Sequence, residues 1–560
     1  MIEFEKYKLL IRNLYITRLL NYITIIAEIM AKDESAGSSP IDSYENSNGY
    51  SIVLKNERVE ILREQKEVGS VLLEDVLGVH QVTQDDGVKL VVHGFPKTKK
   101  IFRSEARSLM KLVVHFDSDN TAEEWKKKII VQSRKVIQEK YDWYQGKEPS
   151  ADPRKYLVLI NPVGGKGKAV HIFRTQVQPL LNLAGAECQV VVTEYAGHAQ
   201  SMMKTFDLSS VDALIIASGD GLLFEVVNGI MERPDWENAI TTTIGILPVG
   251  SGNALCASLL YEAEEEFSVA NATFQIICGA VAPMDVLTAN TVEGTKYFCL
   301  LAAFGIIADI DIESEKYRRI GELRFIFGAI SCILRKKAYP GKLSYLPKDA
   351  KLQDTISSVA DSQVTSSPKE DGELVVTNGV ESPTNETSDN CIESHHETPS
   401  KTNNDVSEAA ANPTVGIEVN SVQTGPPTPF MNKLSEPVPS NWVEIDAEFM
   451  NISVATISHL AHDFFNTKQA YVGCGTIYLL YAEANLTSRM DLFKLMDRMG
   501  KGNHTEMNFV NMVEAKAFRI EPSEKSGILT LDGEMIPFGP FQAQIHPQLG
   551  RVLGRRLKRT

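Results

Sequence analysis

From Lys155 the chain reads as a series of short, near-continuous apolar runs, each followed by a stretch of helical periodicity. KYLVLINP (155–162), ECQVVVTEY (187–195) and DALIIASGDG (212–221) are rich in Val, Leu and Ile and close on Pro, Gly or Asp. That is the pattern of strands buried on both faces. Strands of this kind alternating with helices predict an α/β domain over 151–282, a Rossmann-like parallel sheet covered by helices. ATFQIICGAVAPMDVL leads out of it. Beyond Pro283 the runs alternate more, as in KYFCLLAAFGIIADIDI (296–312) and GTIYLLYAEA (475–484), and helices thin out. A second, mainly antiparallel β domain is therefore expected from 283–350 plus 436–550.

Upstream, 49–150 holds β-rich runs (SIVL, VLLEDVLGVHQV, VKLVVHGF, LMKLVVHF) and then one amphipathic helix, TAEEWKKKIIVQSRKVI, with Trp125 near its start. Several strands closed by a tryptophan-bearing helix resemble a pleckstrin-homology-type barrel in pattern, either as a lipid-binding module or as a scaffold. The first 48 residues are expected to be a flexible or amphipathic segment. Leu14 to Ala31 is apolar but interrupted by Arg18, Asn21 and Glu28, which suits an amphipathic helix better than a signal peptide. Such a helix either packs on its own domain or lies on a membrane.

Composition changes this picture at one place. Residues 351–440 carry four Lys/Arg against fourteen Asp/Glu and a single aromatic, Phe430. Of the net charge of −15, −10 falls there, which leaves the rest only mildly acidic. A stretch so poor in apolar residues cannot offset the entropy of ordering, so a disordered acidic insert is expected over 351–435. It contains four proline-directed sites for phosphorylation, at Ser367, Ser382, Thr398 and Thr428. A basic tail is expected at 551–560. Nucleic acid is excluded as a partner by the lack of a basic domain. Seven scattered cysteines without a CxxC pair suggest neither a disulfide framework nor a zinc site, and fit a reducing, cytoplasmic setting. No run of 18 apolar residues would span a bilayer.

Three glycine-bearing turns fall where strands of the α/β domain should end. Asn161-Pro162-Val163-Gly164-Gly165-Lys166 lacks the Ser or Thr of a Walker loop, yet a glycine-rich turn into a helix offers free N–H groups to phosphate. Ser218-Gly219-Asp220-Gly221, followed by Glu225, sets a carboxylate between two glycines at a strand's C-terminal end, where open α/β sheets bind ligands. Pro248-Val249-Gly250-Ser251-Gly252-Asn253 is a third tight turn.

In this order and spacing the three turns resemble the diacylglycerol kinase catalytic fold. FGIIADIDIESEKYRRIGELRF (304–325), MERPDWENAI and the C-terminal LDGE and QIHP narrow the resemblance to the sphingosine kinases. It spans Lys155 to about Lys342 and about Glu436 to His546. The resemblance implies an ATP- and Mg2+-dependent lipid kinase acting on sphingosine or dihydrosphingosine, with the metal held mainly through ATP. It implies that Asp220 is the general base, with Gly219, Ser218 and Gly221 beside the lipid hydroxyl. Asn161, Pro162, Val163, Gly164, Gly165, Thr193, Glu194, Ser218, Gly221, Glu225, Ser251 and Gly252 correspond to nucleotide-binding positions. So do Arg318 and Arg324, which neutralise the transferred phosphate, and the returning Asp532, Gly533 and Glu534. Arg318 and Arg324 lie six apart and would not share a face of one straight helix, so either the helix breaks near Gly321 or one arginine is structural. Asp311 corresponds to the carboxylate that pairs with the lipid's ammonium; the plainer reading is a solvated acid at a strand end. Val163 stands where the family often has arginine, and Leu301 where a small polar residue is expected near the headgroup.

Arg324 to Lys342 pairs Phe325, Phe327, Ile330, Ile333 and Leu334 with Arg335, Lys336, Lys337 and Lys342. This suits either a membrane-surface or calmodulin-target helix or one packed on the second domain, and the resemblance implies calmodulin binding. Peripheral recruitment to a membrane follows from a substrate that resides in bilayers. Ceramide or diacylglycerol kinases of the same fold, or a catalytically silent lipid-binding adaptor, are the rival readings. The residues leave open the preferred base, the target membrane, and the choice between monomer and homodimer.

Overall fold

In the computed structural model the described residues are 40–84, 87–98, 106–141, 143–144, 148–250, 252–314, 316, 323–350 and 425–556. The amphipathic segment at 14–31, Ser251, Arg318 and insert residues 351–424 lie outside them. Two antiparallel sheets form an N-terminal β domain. β1 (Asp42–Glu45), β2 (Tyr50–Leu54), β3 (Arg58–Arg63) and β4 (Lys66–Leu72) pair in chain order. β5 (Val76–Gln84), β6 (Gly87–Gly94) and β7 (Met110–Phe116) make the second sheet. α1 (Asp119–Tyr141) closes both, burying Ala122, Trp125, Ile129 and Ile137 at helical spacing. Trp125 and Ile129 join Ile52, Leu73 and Leu90 in one core. The domain starts earlier than Gly49, because β1 pairs with β2 across Asp42–Glu45.

The parallel part is built from β8 (Lys155–Ile160), β9 (Glu187–Val192), α2 (His198–Met203), β10 (Ala213–Ser218), α3 (Asp220–Met231), β11 (Ile244–Pro248), α4 (Ala254–Glu262) and α5 (Val269–Cys278). Its strand order is β9-β8-β10-β11, all parallel. Leu157, Val158, Leu159, Leu214, Ile215 and Ile216 are fully buried, as runs covered on both faces require.

The remainder comprises β12 (Val281–Thr291), β13 (Gly294–Phe298), β14 (Leu301–Gly305), α6 (Ile306–Ser314), α7 (Leu323–Arg335), β15 (Tyr339–Pro347) and β16 (Val443–Ala455). β17 (Ile477–Glu483), α8 (Arg489–Lys501), β18 (Asn511–Pro522), β19 (Leu529–Leu531), β20 (Glu534–Met535) and β21 (Phe541–Leu553) follow. These strands pair antiparallel, but they do not form a separate sheet. β21 pairs antiparallel with β18 and β12, while its Val552 lies parallel to Ile244 of β11. Fourteen strands therefore make one continuous sheet, with one core under the parallel part and another under the antiparallel part.

Three expectations need correction. IIADIDI is not strand: Gly305, at φ 110°, ends β14, and α6 begins at Ile306. Residues 425–435, assigned to the insert, pack on the sheet instead, where Gln542 donates to the Asn432 carbonyl and Gln544 accepts from the Phe430 N–H. The expected basic tail is buried from Val552 to Arg556. Arg555 and Arg556 are 6% and 5% exposed, and their guanidinium groups lie over Tyr141 and Tyr471.

Candidate active site

The glycine turns that end β8, β10 and β11 meet at the C-terminal edge of the parallel strands, the position where an open α/β sheet leaves a crevice. The second and third turns touch backbone to backbone. A Cβ on Gly219 would meet the Gly252 carbonyl at 2.7 Å, and one on Gly250 would meet the Gly219 nitrogen at 2.2 Å, so glycine is obligatory at both. Asn161 accepts from the Val163 N–H at 3.1 Å, an Asx turn that shapes the first loop.

Asp220 opens α3, and its carboxylate faces the first N–H groups of α4. Oδ2 accepts from Ala254 at 2.8 Å and Oδ1 from Leu255 at 3.5 Å. Burial pushes its pKa up to about 6, and these two N–H groups pull only part of the way back. Glu225, one turn and a half further on, accepts from the Ala199 N–H and so holds the start of α2. Thr193 sits beside the first turn, its N–H donating to the Ile160 carbonyl, while Glu194 is exposed with its N–H on His198 Nδ1.

The C-terminal segment returns over these turns. Asp532 accepts from the N–H groups of Cys299, Leu300 and Leu301 at 2.8–2.9 Å. Burial drives its pKa to about 7 against that pull. The side chain expected on the nucleotide thus holds the 299–301 turn, and by doing so fixes Gly533 and Glu534. The Glu534 carboxylate fills the space that a side chain at Gly221 would need, and Asp311 Oδ2 lies 3.4 Å from where a Cβ on Gly533 would sit.

One cavity of about 550 Å³ joins all of this. Asn161, Gly164, Ser218, Gly219, Asp220, Gly221, Glu225, Gly252, Asp311, Asp532, Gly533 and Glu534 line it. Pro162, Val163, Thr193 and Glu194 do not. Arg324 is the second residue of α7, and Arg318 and Ser251 fall outside the described residues. The cavity continues into an apolar half walled by Ile306, Ile310, Ile333, Met450, Leu492 and Met496. Asp311 stands between the two halves on α6, a helix held by the Tyr339 hydroxyl on Asp309 at 2.6 Å and by Asn451 on the Ile307 N–H at 3.1 Å.

Sequence reasoning missed Asn451 and the whole of α8. The latter carried a legible signal, the capping box Ser488–Asp491, whose two reciprocal bonds start the helix.

Residues 155–289 match the diacylglycerol kinase catalytic domain. The chain is 35% identical to human sphingosine kinase 1 over 404 residues, 70% of this chain and 89% of that protein. It is 29% identical to human sphingosine kinase 2, over 72% of this chain and 71% of that one. Against sphingosine kinase 1 of Arabidopsis thaliana it is 30% identical, covering 73% of each. A crystal structure of a diacylglycerol kinase from Bacillus anthracis str. Sterne overlays 72% of this chain and 97% of its own with a TM-score of 0.42 at 17% identity. With its glycine turns assembled around one cleft and sphingosine kinases of up to 35% identity matched along most of their length, the chain belongs to the sphingosine kinase family.

Proposed function

We infer that the chain transfers the γ-phosphoryl group of ATP to the primary hydroxyl of a long-chain base, sphingosine or dihydrosphingosine, giving the 1-phosphate. One observation carries this: a cavity with a carboxylate among glycine turns at one end, a second carboxylate at its waist and an apolar half beyond. The turns present N–H groups to the triphosphate, and the arginines at 318 and 324 neutralise the transferred phosphoryl. Phosphoryl transfer asks chiefly for positioning and charge stabilisation, so Asp220 takes the hydroxyl proton late, as the new P–O bond forms. Asp311 pairs with the ammonium. Ceramide's amide and a diacylglycerol ester offer no cation there and forgo that charge-assisted contact.

Among the described residues no three metal-ligating side chains come together. Magnesium would enter on the triphosphate and neutralise its charge, and the Glu534 and Asp220 carboxylates, which line the cleft, would face its water shell.

Membrane recruitment goes with this substrate. α7 and α8 expose Phe327 (54%), Leu334 (60%) and Met490 (63%), while Ile333 of the same helix is buried against the cavity. Arg335, Lys337 and Lys342 are each paired with a carboxylate, Glu313, Glu524 and Glu444. Those pairs favour apolar insertion into a membrane over the calcium-dependent, charge-led capture of a helix by calmodulin. No helix among the described residues is long and apolar enough to cross a membrane. The N-terminal β domain, four strands and three strands closed by α1, suits a pleckstrin-homology-type scaffold.

Purified protein with labelled ATP and a panel of sphingosine, dihydrosphingosine, ceramide and diacylglycerol tests the reading. Phosphorylation confined to the free bases is expected; equal phosphorylation of ceramide would overturn the role of Asp311.

A further inference from the structure

Among the described residues, the apolar half of the cavity carries, apart from the 532–534 segment, two polar side chains: Asp311 and Asn451. A bulge puts Asn451 there. Along a regular strand neighbouring side chains point to opposite faces. The register of β16 against β17 slips between Phe449 and Asn451, and Met450 and Asn451 both line the cavity. On the other side of β16, Gly305 approaches so closely that a Cβ would stand 2.8 Å from the Asn451 Cα, which fixes the strand in place.

The orientation of the amide follows from its partner. Its Oδ1 accepts from the Ile307 N–H at 3.1 Å, and a backbone N–H can only donate, so the carbonyl oxygen faces α6. The NH2 group is left over, and no described residue accepts from it. An amide donor in an apolar wall imposes a penalty on any ligand that gives it nothing to bond. Ile307 lies four residues before Asp311, a helical rise of about 6 Å. A chain whose ammonium rests on Asp311 therefore runs its first few carbons past this amide.

We propose that the Asn451 amide donates to a hydroxyl on the fourth carbon of the long-chain base, and that a 4-hydroxylated base is the preferred substrate of this enzyme. The proposal rests on reading the cavity as a long-chain-base site. The hydroxyl at carbon 3 is common to these bases and adjoins the ammonium; the one at carbon 4 lies a step further along the chain. Leu301, which lines the cavity where a polar residue was expected, offers no competing contact.

The test compares kcat/KM for 4-hydroxysphinganine and sphinganine in the wild type and in Asn451→Leu. The wild type should favour the 4-hydroxy base by roughly three- to tenfold, the scale of one neutral hydrogen bond. The variant should bring the ratio to about one. Loss of the Ile307 cap burdens both bases alike and cancels in that ratio. A ratio unchanged by the substitution, or already near one in the wild type, overturns the proposal. A 3-deoxy base serves as the third arm: if the wild type discriminates against it and the variant does not, the amide serves the 3-hydroxyl and the 4-hydroxyl assignment is wrong. Failure of the wild type to phosphorylate any base would instead overturn the kinase reading on which this one rests.

Discussion

Asp220 does two things at once, and each constrains the other. Its carboxylate anchors the start of α4 through Ala254 and Leu255, and the same burial that makes the anchor rigid raises its pKa to about 6. A base must be ionised to accept a proton. Below pH 6 the protonated fraction grows, so kcat/KM should fall about tenfold per unit there, with no loss from this group above pH 7. The neighbouring Asp532 is pushed up to about 7 by its own burial, with the Asp220 charge a minor contribution. Asp220→Asn keeps a carbonyl oxygen for the Ala254 N–H, so the fold should survive while kcat falls by about 100-fold and the acid limb flattens. Near wild-type turnover in that variant would remove Asp220 from the chemistry. Asp311→Asn tests the other carboxylate: if it holds the ammonium as proposed, KM for the base should rise at least about tenfold while KM for ATP stays put. Equal rises in both constants would assign Asp311 to the nucleotide or to folding.

At the scale of elements, α7 divides its apolar residues between two faces. Ala329, Cys332 and Ile333 are buried, whereas Ile326, Phe327, Ile330 and Leu334 are exposed. The exposed face continues onto α8 through Met490 and Phe493, and Arg489 bonds the Leu334 carbonyl between the two helices. Inserting two half-exposed large side chains into a bilayer gains about 2 kcal/mol. Phe327→Ala with Leu334→Ala should therefore weaken sedimentation with liposomes by at least about tenfold and leave turnover of detergent-solubilised base intact. Unchanged liposome binding would sink the idea, and lost solubility would show that these residues belong to the fold. The elements that sequence reveals and hides divide along a physical line. The glycine turns are legible because close backbone approach at Gly219 and Gly250 leaves no alternative residue. The strand β3 and its turn are hidden because Glu64 and Gln65, not Asn-Gly, take the positive φ of 51° and 65°. α6 is hidden because IIADIDI alternates like a strand, and what starts the helix is Asn451, 144 residues away.

The whole molecule is tied together where the N-terminal β domain meets the parallel part. Sequence composition marks the acidic insert and the domain order, but it cannot show that the last strand returns to join both halves of the sheet. Nor can it show that the arginines after that strand are interior. Those facts rest on pairings hundreds of residues apart, such as Arg555 with Glu74 and Tyr141. At this junction Arg107, 4% exposed, forks between Asp75 at 2.7 Å and Glu265 at 2.7 Å, over the Phe274 ring. Burial works against its charge, yet the bonds to Glu265 and Asp75 hold its pKa above the usual arginine value. Asp75 is pushed up, burial outweighing the pull of Arg107. Such a cluster contributes little net stability compared with an apolar plug, but removing one member strands the others in a dry interface at a cost of about 3–5 kcal/mol. Arg107→Met should therefore lower the thermal midpoint by at least about 5 °C. Turnover at saturating substrates should stay within about twofold, because Arg107 is absent from the cleft lining. Replacing all three, Asp75→Leu with Arg107→Met and Glu265→Leu, should recover part of the loss, since the centre is then apolar and only Arg555 and Lys97 at its edge give up their Glu265 contact. If the single substitution proves neutral, the junction is held by its apolar contacts alone. If the triple is worse than the single, the charges stabilise the junction outright, and the weighing of burial against pairing given for Asp75 is wrong.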